Sequence, residues 1–142
     1  MKKLLFILFF STIVPVGFSQ VDNDEPILVD VDVKPTWTGC EDQRDATARE
    51  NCLDKNLTSF FNDFIIYPER ARKKKLEGQV IVQFVVEKDG SVSNIQIIHD
   101  IGEGCGDEVV RAIKHLPKFI PGTDKGVPVR VLYKAPFHFK LK

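Results

Sequence analysis

The sequence predicts an α+β fold: a three-stranded antiparallel sheet with helices packed on one face. Three patterns lead to this prediction. Two alternating apolar runs are joined by a tight turn, a third alternating run lies near the C-terminus, and segments with helical apolar spacing flank the first two. Helices and strands in this order pack as a sheet with one covered face. The length of 142 residues fits one modest domain.

Two helices are expected before the sheet. Apolar residues recur on one face from about Ala46, and the helix should stop near Ile65 because Tyr67 precedes a proline and so avoids the α region. A second short helix, from Pro68 to Leu76, follows because proline suits the first helical turn. The apolar face of the first helix comprises Leu53, Leu57, Phe60 or Phe61, and Phe64.

The clearest local pattern is a hairpin. Val80, Val82, Phe84 and Val86 alternate on one strand. Asp89-Gly90 is expected to form a type I′ turn, and the return strand should run from about Val92 to Ile98.

A third helix and a last strand complete the predicted sheet. The helix follows a glycine-rich joint and ends before Pro117. The strand, about residues 127–141, contains Pro128 and Pro136, which cannot donate to a ladder, so it is expected at an edge.

The first 19 residues resemble a secretory signal peptide. Lys2 and Lys3 precede an apolar run that ends near Val14, and Gly17-Phe18-Ser19 follows with small residues at its outer two positions. We expect cleavage after Ser19 and localisation in the periplasm. An uncleaved inner-membrane anchor is the alternative, although the run is shorter than the roughly 20 residues that span a bilayer.

Charge divides the rest of the chain. Residues 20–63 carry 11 acids and 4 bases, and residues 64–142 carry 9 acids and 14 bases, so the halves attract each other or face different partners. Residues 20–45 are interpreted as an extended, solvated acidic arm, with an edge strand around Val31 as the alternative. Residues 46–142 form the folded domain. Export and a balanced net charge argue against nucleic acid as a partner.

Three cysteines enter an oxidising compartment if the chain is exported, and one must stay unpaired. We expect a disulfide between Cys40 and Cys52, with Cys105 left over. On one continuous helix the pair would lie about 18 Å apart. Since a disulfide needs Cα atoms within about 7 Å, residues 41 to about 47 must fold back as a loop.

No pattern for catalysis or for a cofactor is evident. The sequence has no Ser/His/Asp order and no glycine-rich phosphate loop. His99, His115 and His138 do not stand at metal-ligand spacings. We expect a protein that is not an enzyme and holds neither metal nor cofactor.

Several short motifs, in this order and spacing, resemble the TonB C-terminal domain family over about residues 64–142. They are Tyr67-Pro68, Leu76-Glu77-Gly78-Gln79-Val80, Lys88-Asp89-Gly90-Ser91-Val92, Pro121-Gly122, and Gly126-Val127-Pro128-Val129-Arg130-Val131. The resemblance implies a periplasmic protein-binding domain. Such a domain takes up the TonB box of an outer-membrane transporter as an extra strand, and transmits force from a proton-driven inner-membrane motor.

The resemblance and the edge character of the last strand together indicate the partner-binding residues. They are Tyr67, Pro68, Val129, Arg130, Val131, Leu132, Tyr133 and Lys134. Contact with the motor complex is expected only if the N-terminus stays in the membrane. Whether the N–H of Val131 or that of Leu132 points outwards is left open.

Two alternatives accompany this prediction. The edge could be shielded by the acidic arm or by self-pairing in a homodimer. The fold could also serve a structural or assembly protein of the cell envelope, because fold alone does not fix function.

Overall fold

The computed structural model describes residues 25–142, so the expected signal peptide and residues 20–24 lie outside the described part. The described residues form a four-stranded sheet of order β1-β6-β2-β3, a separate two-stranded ribbon, and three helices. Their bounds are β1 Ile27–Leu28, α1 Ala46–Phe64, α2 Glu69–Lys73, β2 Gly78–Val86, β3 Val92–His99, α3 Cys105–Ile113, β4 Thr123–Asp124, β5 Val127–Pro128 and β6 Arg130–Phe139.

The predicted α+β class is confirmed, with one more strand in the sheet than expected. β1 pairs in parallel with the start of β6, through Ile27 to Arg130 and Leu28 to Val131. β6 and β3 both pair antiparallel with β2. The last strand, β6, therefore lies second in the sheet and not at its edge. Because β1 is short, only the start of the side of β6 that faces away from β2 is covered.

The described part of the arm, residues 25–45, contacts the rest of the domain at a few points, while most of its residues stay exposed. Val33 and Thr36 form bridges with Thr123 and Ile120, and Pro35 is buried. Apolar burial contributes little before Pro35, because Ile27, Val29 and Val33 are 39%, 71% and 40% exposed. The arm then leads into α1.

α1 has the bounds that its apolar spacing predicts. The side chain of Asp45 accepts a hydrogen bond from the N–H of Ala48 at 2.8 Å, which caps the first turn. The helix ends at Phe64 because Ile65 is extended, at φ −75° and ψ 122°. Leu53, Leu57 and Phe61 are buried against the sheet.

The hairpin between β2 and β3 is present, but the expected type I′ turn is wrong. A type I′ turn needs positive φ at both central residues, and at Asp89-Gly90 only the glycine has it, at +84°. The Asp89 carboxylate instead accepts a hydrogen bond from the N–H of Ser91 at 2.9 Å. Positive φ at two consecutive residues occurs in the β4–β5 ribbon, at Lys125 and Gly126.

The core lies between the sheet and the helices. Alternate residues of β2 and β6 face α1 and α3, and the rings of Phe61 and Phe137 meet edge to face with centroids 4.5 Å apart. The buried cluster comprises Leu53, Leu57, Phe61, Ala71, Val80, Val82, Phe84, Val86, Cys105, Val109, Ala112, Ile113, Phe119, Ala135, Phe137 and Phe139.

A disulfide joins Cys40 to Cys52, with Cα atoms 5.7 Å apart. Residues 41–45 fold back between the arm and α1, which is the loop that this pairing requires. The disulfide thus fixes the end of the arm to the second turn of α1. Cys105 is a buried, unpaired thiol at the start of α3.

Candidate functional site

The backbone of β6 directs its hydrogen-bonding groups alternately towards β2 and away from it. The N–H of Glu87 donates to Ser91 at the β3 side, so the groups of its neighbour Val86 face β6. Val86 is opposite Val131, and the odd-numbered residues of β6 therefore bond to β2. Pro136, which has no N–H, falls among the even-numbered residues that point outwards.

The outer side of β6 is covered only at its start. β1 pairs with Arg130 and Val131, and no other strand of residues 25–142 pairs with the rest of this edge. Lys134 and His138 each direct an N–H and a C=O outwards, and Pro136 directs a C=O. These groups form a short open edge that can accept a strand.

The opposite edge of the sheet, on β3, is less regular. Its pairing with β2 shifts register between Ile81 and Val82 and again between Gln83 and Val85. Asn94 also has a positive φ of 47°. Bulged edges pair poorly with a further strand. The open part of β6 is therefore the better site for strand addition.

A groove of about 1,700 Å³ runs beside the open edge, between β6 and α1. Leu57 and Phe61 of α1 and Phe137 of β6 form its apolar floor. Thr58 and Asn62, one helical turn apart and both exposed, form a polar strip on the wall. A strand added to β6 would have one row of side chains over this groove.

Arg130 connects β1 to the sheet. Its Nε donates to Oε2 of Glu87 at 2.8 Å, and its Nη1 donates to the C=O of Glu25 at 2.9 Å. The hydrogen bond from Arg130 holds the pKa of Glu87 below its usual value, and the hydroxyl of Ser93 acts in the same direction. Arg130, predicted to bind a partner, is thus occupied by contacts within the chain.

Tyr133 lies at the arm end of the groove and stays neutral. Burial raises its pKa to about 12, with a further contribution from the negative charge of Asp54. Its ring lies 5.4 Å from that of Phe84, which ties it to the core. The side chain can therefore offer a neutral hydroxyl to the groove at physiological pH.

Tyr67 and Pro68 take different positions. The Tyr67 hydroxyl donates to the C=O of Leu76, and its ring meets Phe139 edge to face at 5.4 Å, at the far end of the groove. Pro68 lies in a smaller hollow beside Glu108 and does not line the groove. Only Tyr67 of this pair is near the open edge.

The other residues that were predicted to bind a partner also take different positions. The N–H of Val129 donates to the C=O of Gly122 at 3.0 Å, and the side chain of Val131 is buried. Leu132 points its backbone outwards at the level of β1, and Lys134 does so beyond it. Sequence reasoning missed His138 and the wall of α1. The alternation set by Pro136 could have identified His138.

Three further features of residues 25–142 are the Cys105 thiol, the arrangement of possible metal ligands, and the length and apolar character of the helices. Burial raises the pKa of the Cys105 thiol, and the charges of Asp100 and Glu103 add to this, so the thiolate is disfavoured. Among residues 25–142, no three His, Cys, Asp or Glu side chains are arranged to hold a metal ion. In the same range, no helix has the length and apolar character needed to cross a membrane.

Together, the covered sheet, the open edge and the adjacent groove define a small α+β domain suited to binding an extended segment of another protein. A family model for the C-terminal part of Gram-negative bacterial TonB proteins matches residues 65–141, which is more than half of the chain. The chain belongs to this TonB C-terminal family. The family is envelope-associated and consists of binding and energy-transducing domains rather than enzymes.

Two relatives show how much of the chain is shared. Protein TonB of Escherichia coli K12 is 35% identical over 69 residues, covering 48% of this chain and 29% of that protein. Protein TonB of Pseudomonas aeruginosa is 27% identical over 89 residues, covering 63% of this chain and 26% of that protein. The chain thus spans less than a third of the length of either relative.

Solved structures of the same domain align with part of the chain. The Pseudomonas aeruginosa TonB C-terminal domain has 29% identity and a TM-score of 0.45, covering 55% of this chain and 79% of that structure. The Helicobacter pylori TonB C-terminal domain has 25% identity and a TM-score of 0.46, covering 62% of this chain and 79% of that structure. α1, the arm and the disulfide all lie before the residues that the family model matches.

Proposed function

We propose that this protein is a periplasmic binding module of TonB-dependent transport, and that it takes up the TonB box of an outer-membrane transporter as a strand on β6. The observation that carries the proposal is the outward backbone of Lys134 and His138, beside a groove that a strand can enter. Membership of the TonB C-terminal family supplies the class of partner.

The proposal places the contact further along β6 than the sequence predicts. Arg130 and Val131 are paired with β1, so the partner strand begins beyond Leu132. Main-chain hydrogen bonds supply the affinity in strand addition, and side-chain contacts supply the specificity. Lys134 and His138 are therefore the residues whose N–H groups matter most, and Tyr67 marks the far end of the site.

The proposal is tested by removing one outward N–H. Lys134→Pro deletes this donor without touching the ladder to β2, and Lys134→Ala is the matched control that removes the side chain alone. A peptide bearing a TonB box from the same organism is titrated against each variant by calorimetry. We expect Lys134→Pro to weaken binding by about tenfold, the equivalent of one hydrogen bond of about 1.4 kcal/mol, and Lys134→Ala to change it by less than about threefold.

Both variants must give the wild-type circular dichroism spectrum for the comparison to hold, and His138→Pro beside His138→Ala repeats the test at a second position. Equal binding by the folded proline and alanine variants at both positions would exclude strand addition at this edge. No binding of the peptide to the wild-type protein would remove the proposed role itself.

A further inference from the structure

We infer that α1 and the basic side chains of the open edge select the partner strand, which should alternate apolar and acidic residues. This inference rests on the proposed function and adds the chemistry of the partner. It assigns a binding role to α1, which lies before the residues that the family model matches.

The geometry of an added strand gives its two faces different surroundings. Side chains of a strand point alternately to the two sides of the sheet. Beside β6, one side is the groove, with the apolar floor of Leu57 and Phe61 below the strip of Thr58 and Asn62. A residue on this side lies over the apolar floor, so an apolar side chain fits there, although Asp54 and Asp63 also line the groove.

The other side of the added strand lies next to the even-numbered side chains of β6. Lys134 and His138 are exposed there, and Lys140 follows at the end of the strand. Neither Lys134 nor Lys140 forms an ion pair within residues 25–142, a property they share with Lys55, Lys75, Lys114, Lys125 and Lys142. Unpaired lysines beside an open edge favour an acidic row on the strand that pairs with it.

The chain's own arm shows that this side of β6 accepts a strand. Among residues 25–142, only Ile27 and Leu28 of the arm pair with β6. The alternating segment Val29-Asp30-Val31-Asp32-Val33 that follows leaves this edge, and Val33 bridges to Thr123. Glu25, just before β1, forms an ion pair with Lys88. The partner strand would continue along the edge the backbone pairing that Ile27 and Leu28 make at its start.

The charge preference is tested with two synthetic eight-residue peptides, one alternating valine with aspartate and the other alternating valine with lysine. Fluorescence anisotropy of labelled peptides reports the affinity for the purified protein with its disulfide intact. We expect the aspartate peptide to bind about tenfold more tightly at low salt, with the difference shrinking at about 0.5 M salt because exposed charges are screened. Combined Lys134→Glu and Lys140→Glu should reverse the preference.

The role of α1 is tested with a bulky side chain in the groove. Thr58→Trp places an indole on the groove wall, and Ser59→Trp is the matched control, since Ser59 is an exposed neighbour that does not line the groove. We expect Thr58→Trp to weaken binding of the aspartate peptide by about tenfold because it fills the space of the apolar row, and Ser59→Trp to leave it within about twofold. Thermal unfolding of both variants verifies the fold.

The outcomes separate this inference from the proposed function. If Lys134→Pro abolishes TonB-box binding while both alternating peptides bind equally and Thr58→Trp behaves as wild type, strand addition stands and the selection by α1 and the lysines is wrong. If no peptide binds in a way that depends on the outward N–H of Lys134, both fail. The inference holds when the charge preference and the effect at Thr58 are both seen.

Discussion

Gly90 shows how one residue can hold two parts of the fold together. Its φ of +84° closes the hairpin, and its C=O accepts the N–H of Phe119 at 2.8 Å. A Cβ built on this glycine would lie 1.9 Å from the Phe119 carbonyl oxygen. Backbone atoms approach here so closely that no other residue fits without a shift of the chain.

This close approach predicts a large loss of stability for Gly90→Ala, with Gly126→Ala as the matched control. Gly126 has a similar φ of +78° but no heavy atom within 4 Å of its built Cβ, so its alanine variant carries only the conformational strain of about 1 kcal/mol. Gly90→Ala should lose about 2 kcal/mol more in urea unfolding. Equal losses for the two variants would contradict the packing of Phe119 against the turn.

The Glu87 and Arg130 pair predicts a pH-dependent contribution. The pKa of Glu87 is lowered in the folded state, mainly by the hydrogen bond from Arg130, so the contribution is present above the unfolded pKa and is lost as the pH falls through the folded pKa. Glu87→Gln should cost about 1–2 kcal/mol at neutral pH, and the difference from wild type should shrink as the solution is acidified below the ordinary value of 4.5.

Urea unfolding of wild type and variant between neutral pH and about pH 3 measures this difference. Glu69→Gln is the control, because Glu69 forms an exposed ion pair with Lys73 and should change stability by less than about 0.5 kcal/mol at any pH. A Glu87→Gln penalty that stays constant on acidification would show that the carboxylate charge is not its source.

At the scale of elements, the disulfide determines where α1 sits. It ties Cys40, at the end of the arm, to Cys52 in the helix, 12 residues later. Trp37 packs near both Phe60 of α1 and Phe119, at 6.1 Å from each ring centroid. The arm and α1 thus form one packed unit over the sheet.

Replacing both cysteines by serine should lower stability by about 3 kcal/mol, because the unfolded chain loses its constraint on a loop of this size. It should also weaken peptide binding, since the groove wall is no longer held. Chemical unfolding gives the first effect, and anisotropy the second. Peptide mass mapping without reduction is the check on pairing, and a link from Cys105 to either cysteine would show that the assignment is wrong.

Elements with strong local periodicity could be predicted from sequence, and long-range pairing could not. α1 and the β2–β3 hairpin follow from apolar spacing within a few residues. β1 is two residues long and pairs across more than 100 positions, from Ile27 to Arg130, so no local pattern sets its register. The acidity of the arm favours solvent, but the hydrogen bond from Arg130 to Glu25 and the backbone bridges of Val33 and Thr36 hold it against the domain.

The candidate site, too, could be predicted from the sequence only in part. The two prolines indicated that the last strand has an exposed side, but which of its residues point outwards was left open, although the alternation from Pro136 could have shown it. The groove could not be predicted, because the position of Thr58 and Asn62 relative to β6 depends on how α1 packs. Tyr67 and Pro68 were both expected to bind the partner, yet only Tyr67 reaches the groove, while both line the smaller hollow where the chain turns into α2.

At the scale of the whole molecule, some groups of the acidic half contact the basic half of the same chain. Glu25 of the acidic half pairs with Lys88, and Asp32 accepts the N–H of Lys125 at 2.8 Å. These contacts hold the arm over the start of β6 and leave the rest of the edge open. Lys134 and Lys140, two of the exposed cations that form no ion pair within residues 25–142, lie beside that open part.

The central claim is that a partner strand bonds to the outward backbone of β6, and amide hydrogen exchange followed by NMR tests it most directly. Saturating the ¹⁵N-labelled protein with TonB-box peptide should slow exchange of the Lys134 and His138 amides by about tenfold or more, because each gains a hydrogen bond that must open before exchange. Amides of β3 should keep their rates. Unchanged exchange at Lys134 and His138 in the saturated protein, or new protection confined to β3, would contradict it.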